Sequence, residues 1–307
     1  MPDPIAHLLA RPDVRPSPPA APADIEAVAR HFGGPLPDDL VRFWRAADGA
    51  DLGPIDARLL GAAQSLAIVQ RAEADPDDWL ARNFPPGYLP VAADEAKANY
   101  LCAYLAGPLT PRVVYLPHHP GDRLLYRTVA GLFRDLPTLL DRRASFEAFF
   151  DEVPGDYGRD STRDARDRAD GRALLADEQT LFGRRCAAAL LGAGDLDGWE
   201  ILLDGGSHVR RFALDRLEAM DAPAVRDLIA RHRREFAAFV DVVAGAALAA
   251  GLTVGGRRED GLELGGMFCN LEDEFARRER SETIAELINK QRWLLGAIRS
   301  GPGRPPS

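Results

Sequence analysis

Apolar and polar positions recur with helical spacing over the first fifty residues, most clearly in Asp24–Gly49, DIEAVARHFGGPLPDDLVRFWRAADG. Ile25, Val28 and Phe32 fall at i, i+3 and i+7, one face of a helix that Gly33-Gly34 stops. Asp38 and Asp39 open a second helix, where carboxylates favour the dipole, and Leu40, Phe43, Trp44 and Ala47 form its apolar stripe. Further on the pattern changes to β-type. Tyr100–Leu105 is apolar and β-prone, Arg112–Leu116 alternates around Val113, Val114 and Tyr115, and Arg123–Tyr126 is a shorter third run.

The C-terminal half reads as mainly helical, with helices at about Leu174–Leu191, His208–Met220 and Pro223–Ala250. In the last, Asp221 suits an N-cap and Pro223 the first turn, while Val225, Ile229, His232, Phe236, Phe239 and Val243 trace one stripe. His208–Leu217 resembles one HEAT-type repeat helix, but a solenoid needs about three stacked repeats and no second copy is present. Leu252–Leu264 fits a hairpin turning at Asp260-Gly261, or a loop through Gly255-Gly256. Ser281–Arg299 predicts a closing helix. Phe236–Ala250 is the most apolar window and contains Asp241; it falls short of the roughly 20 residues that span a bilayer, so a buried helix is expected.

Two stretches interrupt this pattern. Pro12, Pro16, Pro18, Pro19 and Pro22 predict an extended lead-in that acts as a tether over residues 1–22. Pro154–Arg172 is rich in Arg and Asp with almost no apolar residues, and reads as a solvated helix or flexible linker rather than core. The organisation expected is a lead-in at 1–22, a domain at 23–153, a charged linker at 154–172, a mainly helical domain at 173–300 and a disordered tail at 301–307. A chain of 307 residues suits two domains.

The run Asp24–Gly49 also carries a resemblance. Its Ile25-Glu26 pair, the Leu36-Pro37 break, and Leu40, Phe43 and Trp44 before the turn at Gly49 resemble the SMI1/KNR4 (SUKH) superfamily. Phe84–Ala92, FPPGYLPVA, looks like that family's loop into its central strands, and Ser145–Phe150, SFEAFF, like its closing helix. Where many members have Gly-Asp or Gly-Asn entering the central strand, this chain has Ala98-Asn99. The resemblance covers roughly residues 20–150. It implies an α+β fold, a SUKH-like sheet with flanking helices, here followed by a mostly α-helical second domain. It further implies a cytoplasmic scaffold that often serves as a bacterial immunity protein, binding a polymorphic toxin domain; eukaryotic relatives act instead as regulatory scaffolds.

Composition narrows the function classes. Hydrophobic residues make up 46% of the chain, which suits a globular protein, and the net charge of −9 is spread over both halves, so neither is a basic nucleic-acid footprint. A mild acidic excess suits a basic protein partner and is also common in soluble bacterial proteins. Cys102, Cys186 and Cys269 are scattered and lack a Cys-x-x-Cys pair, which supports neither a disulfide framework nor a zinc ribbon and fits a reducing cytoplasm. Met1-Pro2-Asp3-Pro4 has no secretory n- and h-regions.

The chemical candidates are sparse. Adjacent His118 and His119 point to opposite faces if on a strand, and no third ligand completes a set. His208 and His232 lie on predicted helices with no carboxylate-His-Ser arrangement. Glu272, Asp273 and Glu274 with Asn270 lack calcium-loop spacing, and Gly205-Gly206-Ser207 and Gly265-Gly266 lack a phosphate-loop pattern. No catalytic, cofactor or metal residue is therefore assigned, and a protein-binding function is expected, with no nucleic acid, membrane or cofactor; an enzyme in residues 173–300 is the remaining alternative. The residues expected to meet a partner are Trp44, Asp48, Asp51, Asp94, Glu95 and Asp122, taken as loop or helix-end positions, with Trp44 read as either core or interface anchor.

Overall fold

A computed structural model describes residues 3–235, apart from 54, 76, 95–98, 119–122, 160–162, 178–180, 193, 204–206 and 221, and the segments 254–258, 261–264 and 267–269. The chain divides into two units, Met1–Leu190 and Leu191–Ser307.

The first unit is built on an antiparallel sheet whose seven strands lie side by side in chain order. They are β1 (Arg15–Pro16), β2 (Ala50–Asp51), β3 (Arg58–Leu59), β4 (Tyr88–Asp94), β5 (Asn99–Tyr104), β6 (Val113–Leu116) and β7 (Arg123–Tyr126). Around them run α1 (Pro4–Leu9), α2 (Pro22–Phe32), α3 (Asp38–Ala46), α4 (Ala62–Ala74), α5 (Trp79–Asn83), α6 (Val129–Arg142), α7 (Phe146–Glu152), α8 (Gly155–Arg159), α9 (Ala165–Asp177) and α10 (Leu181–Leu191). The fold is α+β, as expected, and the two opening helices form where their stripes predict. Gly33, at φ 69°, ends α2 in the left-handed conformation that costs glycine little.

Every residue of β4, β5 and β6 is buried, so the central sheet is covered on both faces. Directly paired residues share a face. Tyr100, Cys102 and Tyr104 of β5 lie opposite Leu116, Val114 and Arg112 or their strand neighbours, and on their side Trp79 stacks on Tyr100 at 6.1 Å and Phe182 of α10 on Tyr104 at 6.1 Å. Leu101 pairs with Tyr115 on the other side, where Phe146 and Phe150 of α7 meet the Tyr115 ring at 6.2 and 5.9 Å. Phe43 of α3 packs on Phe133 of α6 at 5.1 Å, and Trp44 beside it is fully buried with its indole N–H donated to the Leu60 carbonyl at 3.0 Å.

Three regions differ from the sequence reading. The proline-rich lead-in is docked rather than a free tether: Ile5, Leu8, Val14 and Ala20 are buried, and β1 is the edge strand, pairing Arg15 with Asp51 and Pro16 with Ala50. An edge is where proline, lacking an N–H, belongs in a sheet. The segment expected as a loop into the strands contains β4 itself. The expected linker at 154–172 contains α8 and the start of α9, with Asp167 only 1% exposed, and the division by contacts falls after Leu190 instead. Gly155, at φ 59°, begins α8 so close to β7 that a Cβ there would lie 2.3 Å from the Leu125 carbonyl oxygen.

The second unit contains α11 (Leu196–Leu203), α12 (Ser207–Glu218) and a helix over 223–235, followed by β8 (Val254–Arg258), β9 (Gly261–Leu264) and β10 (Met267–Cys269). α12 lies where the helix over His208–Met220 is expected and packs on α11. Trp199 of α11 is fully buried and donates its indole N–H to the Gly192 carbonyl at 2.7 Å. β8 and β9 form the hairpin that the Asp260-Gly261 reading allowed, and β10 adds a third antiparallel strand. The expected helix over Ser281–Arg299, the tail, the residues beyond 235 of the Pro223–Ala250 helix and the acidic group at 270–274 lie outside the described residues.

Candidate functional site

Because neighbouring strands run antiparallel in chain order, the connections β2–β3, β4–β5 and β6–β7 leave the sheet at one end. Register confirms it: Asp51 pairs with Arg58, Arg58 with Ala93, and Asp94 with Asn99. Asp51 is exposed there and its carboxylate accepts the Gly53 N–H at 2.9 Å. Asp94 is buried at the end of β4, not a loop residue. Its partner Asn99 accepts the His118 backbone N–H through Oδ1 at 3.0 Å, tying the start of β5 to the residues after β6. Glu95 and Asp122 lie outside the described residues.

The other two expected partner residues serve the fold. Trp44 is a core side chain with no exposed surface, because the stripe of α3 turns both Phe43 and Trp44 inward. Asp48 accepts the Ala62 N–H at 2.7 Å, satisfying an amide in the first turn of α4.

A residue the sequence reading missed completes this end. Trp79 is half-buried and begins α5, whose N-cap Asp78 accepts the Leu80 N–H at 2.9 Å. Its indole is held by Phe84 at 5.6 Å, Tyr100 at 6.1 Å and the exposed His118 at 5.3 Å. The stretch around it holds four acidic residues, Glu73, Asp75, Asp77 and Asp78, against two arginines, Arg71 and Arg82. The signal in the sequence was the Asp-Asp-Trp triplet after Pro76, a capped helix start with a large ring at its first position.

A second polar constellation lies at the other side of the first unit. Arg112, just before β6, donates Nε to the Tyr157 hydroxyl at 2.7 Å and one terminal nitrogen to Asp167 at 2.9 Å, and its other terminal nitrogen meets Asp170 at 2.8 Å. Arg127, just after β7, donates to the second Asp167 oxygen at 2.5 Å. The Arg127 and Arg163 guanidiniums each lie 5.0 Å from the centre of the Tyr157 ring. Burial alone would raise the Asp167 carboxyl, but hydrogen bonds and charge from Arg112 and Arg127 outweigh it and hold the group below the ordinary aspartate value. Burial pushes the Tyr157 phenol up to about 12, against the pull of Arg112 and with Asp167 adding to the rise. Arg112 is 4% exposed and Asp167 1%, and their polar atoms are mutually occupied. This arrangement fastens α8 and α9 to the sheet; it leaves no open position for a reactant.

Among the described residues, no group of three or more His, Cys, Asp or Glu side chains is placed to hold a metal ion, and no helix is long and apolar enough to cross a membrane. Cys102 and Cys186 are buried cysteines outside any disulfide, and burial pushes the Cys102 thiol well up. His232 is nearly buried on the helix over 223–235.

An α+β domain with a helix-covered sheet, whose turn-bearing end presents a half-exposed aromatic side chain among carboxylates, is a scaffold suited to binding a protein surface. The sequence model of the SMI1 / KNR4 family (SUKH-1) matches residues 19–152, so the chain carries a domain of that family. No curated protein matches the chain.

Proposed function

We propose that this protein is an immunity-type binding protein that neutralises a cognate toxin domain by covering its working surface. The observation that carries this reading is the SMI1/KNR4 match over residues 19–152. The sheet end supports it: Trp79 is held there against Tyr100 of β5 and His118, and a binding patch of about 800 Å² per partner needs such a rigidly backed surface. The net charge of −9 would speed encounter with a basic partner at low salt. In this reading the protein acts in the cytoplasm by binding alone, with no catalysis and no cofactor.

Co-expression with the product of the adjacent gene tests the proposal. A stable one-to-one complex that abolishes that product's toxicity is the expected result. Failure to bind, or toxicity undiminished by a bound complex, overturns it. Elemental analysis that returned stoichiometric zinc would overturn the metal-free part. A regulatory scaffold of the KNR4 type is the second reading, favoured by the separate unit from Leu191 onward, which offers a second surface for recruitment.

A further inference from the structure

The indole of Trp79 is partly open to solvent, yet three rings fix its position: Tyr100 stacked beneath it, Phe84 and His118 edge-on. A large side chain already immobilised loses little entropy when something binds it, which is the property of an interface hot spot. The stretch around it is acidic in balance, with Glu73, Asp75, Asp77 and Asp78 against Arg71 and Arg82. The Asp77 side chain is 88% exposed and lies 3.7 Å from Arg82, and Asp75, also exposed, accepts the Asp77 N–H at 2.9 Å two residues before the ring.

The corner also holds an unsatisfied donor. Asn99, which reaches Trp79 through its neighbour Tyr100 and through His118, uses Oδ1 for the His118 N–H. Among the described residues its buried Nδ2 has no hydrogen-bond partner.

We propose that Trp79 is the anchor of the partner surface, and that it receives an arginine or lysine side chain projecting from a protein partner, flanked by Asp75 and Asp77. The proposal rests on the binding function above and names the chemistry of its contact. A cation over the indole face gains from the ring quadrupole, and the two carboxylates supply the counter-charge.

The test follows the indole N–H signals of the full-length protein by NMR, with Trp79→Phe identifying the Trp79 signal. Ac-Arg-Arg-Arg-NH2 should shift that signal while the buried Trp44 and Trp199 signals stay in place, and Ac-Glu-Glu-Glu-NH2 should leave all of them unmoved. Asp75→Asn with Asp77→Asn should weaken the arginine peptide about two- to fivefold. A Trp79 signal that ignores the arginine peptide, responds equally to the glutamate peptide, or keeps its affinity in the doubly neutralised protein overturns the proposal. The adjacent gene product separates this contact from the broader function: Trp79→Ala should weaken a wild-type complex about 30-fold or more. An unchanged complex would overturn the Trp79 assignment and leave the immunity function standing, whereas a responsive Trp79 in a protein that binds no such product would sustain the contact and defeat the immunity function.

Discussion

The two best-buried seams of the first unit are made of opposite materials. Between α3 and α6, Phe43, Trp44 and Phe133 are shielded from water, and the single polar atom among them, the Trp44 indole nitrogen, has the Leu60 carbonyl. Between the β6–β7 edge and the helices α8 and α9, Arg112, Tyr157 and Asp167 are shielded almost as completely, yet Arg112 and Asp167 carry formal charge. The first seam gains from leaving water and tolerates approximate contacts. The second has a large desolvation cost to offset, and does so only while every partner is present. Equal burial therefore conceals different fragility: one seam fails by losing volume, the other by losing a partner.

Truncating the apolar seam should have the largest effect. Trp44→Ala is expected to cost about 3–5 kcal/mol, leaving a cavity and an unpaired Leu60 carbonyl, as read by urea denaturation. Asp167→Ala should cost about 3 kcal/mol by leaving the buried Arg112 charge with Asp170 alone of its two carboxylates and by removing the Asp167 acceptor from Arg127. Combining it with Arg112→Met should recover much of that loss. A double variant that instead loses the sum of two single effects would show that the pair is not coupled, and that the two seams are alike.

The charged seam alone should respond to acid. Because the Asp167 carboxyl sits below its unfolded value, its contribution is present above about pH 4 and disappears as pH falls through the folded value. The stability gap between wild type and Asp167→Asn should therefore narrow below about pH 4, while the gap for Trp44→Ala follows no such course. Tyr157→Phe is milder, costing about 1–2 kcal/mol through the lost acceptor for Arg112. With the Tyr157 phenol raised to about 12, its share is present below the ordinary tyrosine value and is lost as pH climbs through the folded one, so the Tyr157→Phe difference should shrink in strong alkali. Smallest is Asp48→Ala, at about 1 kcal/mol, because it removes one amide acceptor at the start of α4 and leaves both seams whole.

The same contrast explains what was legible in the sequence. Helical spacing around Val28 and Phe43, and the β-type runs that became β5, β6 and β7, report burial against a continuous apolar layer, so local pattern sufficed. β1, β2 and β3 are two residues each, too short to show a period, and Pro16 argues against a strand anywhere but an edge. Asp167 was illegible because its partners Arg112 and Arg127 lie far upstream, and an Arg-Asp run looks solvated until those partners are known. Of the residues expected to meet a partner, Asp51 is exposed at the end of β2, but Trp44 and Asp94 are buried: composition identified acidic and aromatic residues, not which of them the fold would spend on itself. Trp79 escaped notice because its importance comes from rings at Phe84, Tyr100 and His118 that only the sheet brings together.

The reach of the charged seam bears on how such chains can be reshuffled by gene recombination. The family match stops at residue 152, which looks like a natural seam for exchanging C-terminal modules. A crossover there would deliver a sheet bearing Arg112 and Arg127 to a new downstream segment with no Asp167 to receive them, and would also remove Phe182 from its place on Tyr104. A crossover after Leu190 keeps the receiving carboxylate and the covering ring with the strands they serve. The segment that must travel together is therefore longer than the matched stretch, and hybrids joined at the shorter boundary should fold less stably than those joined after Leu190.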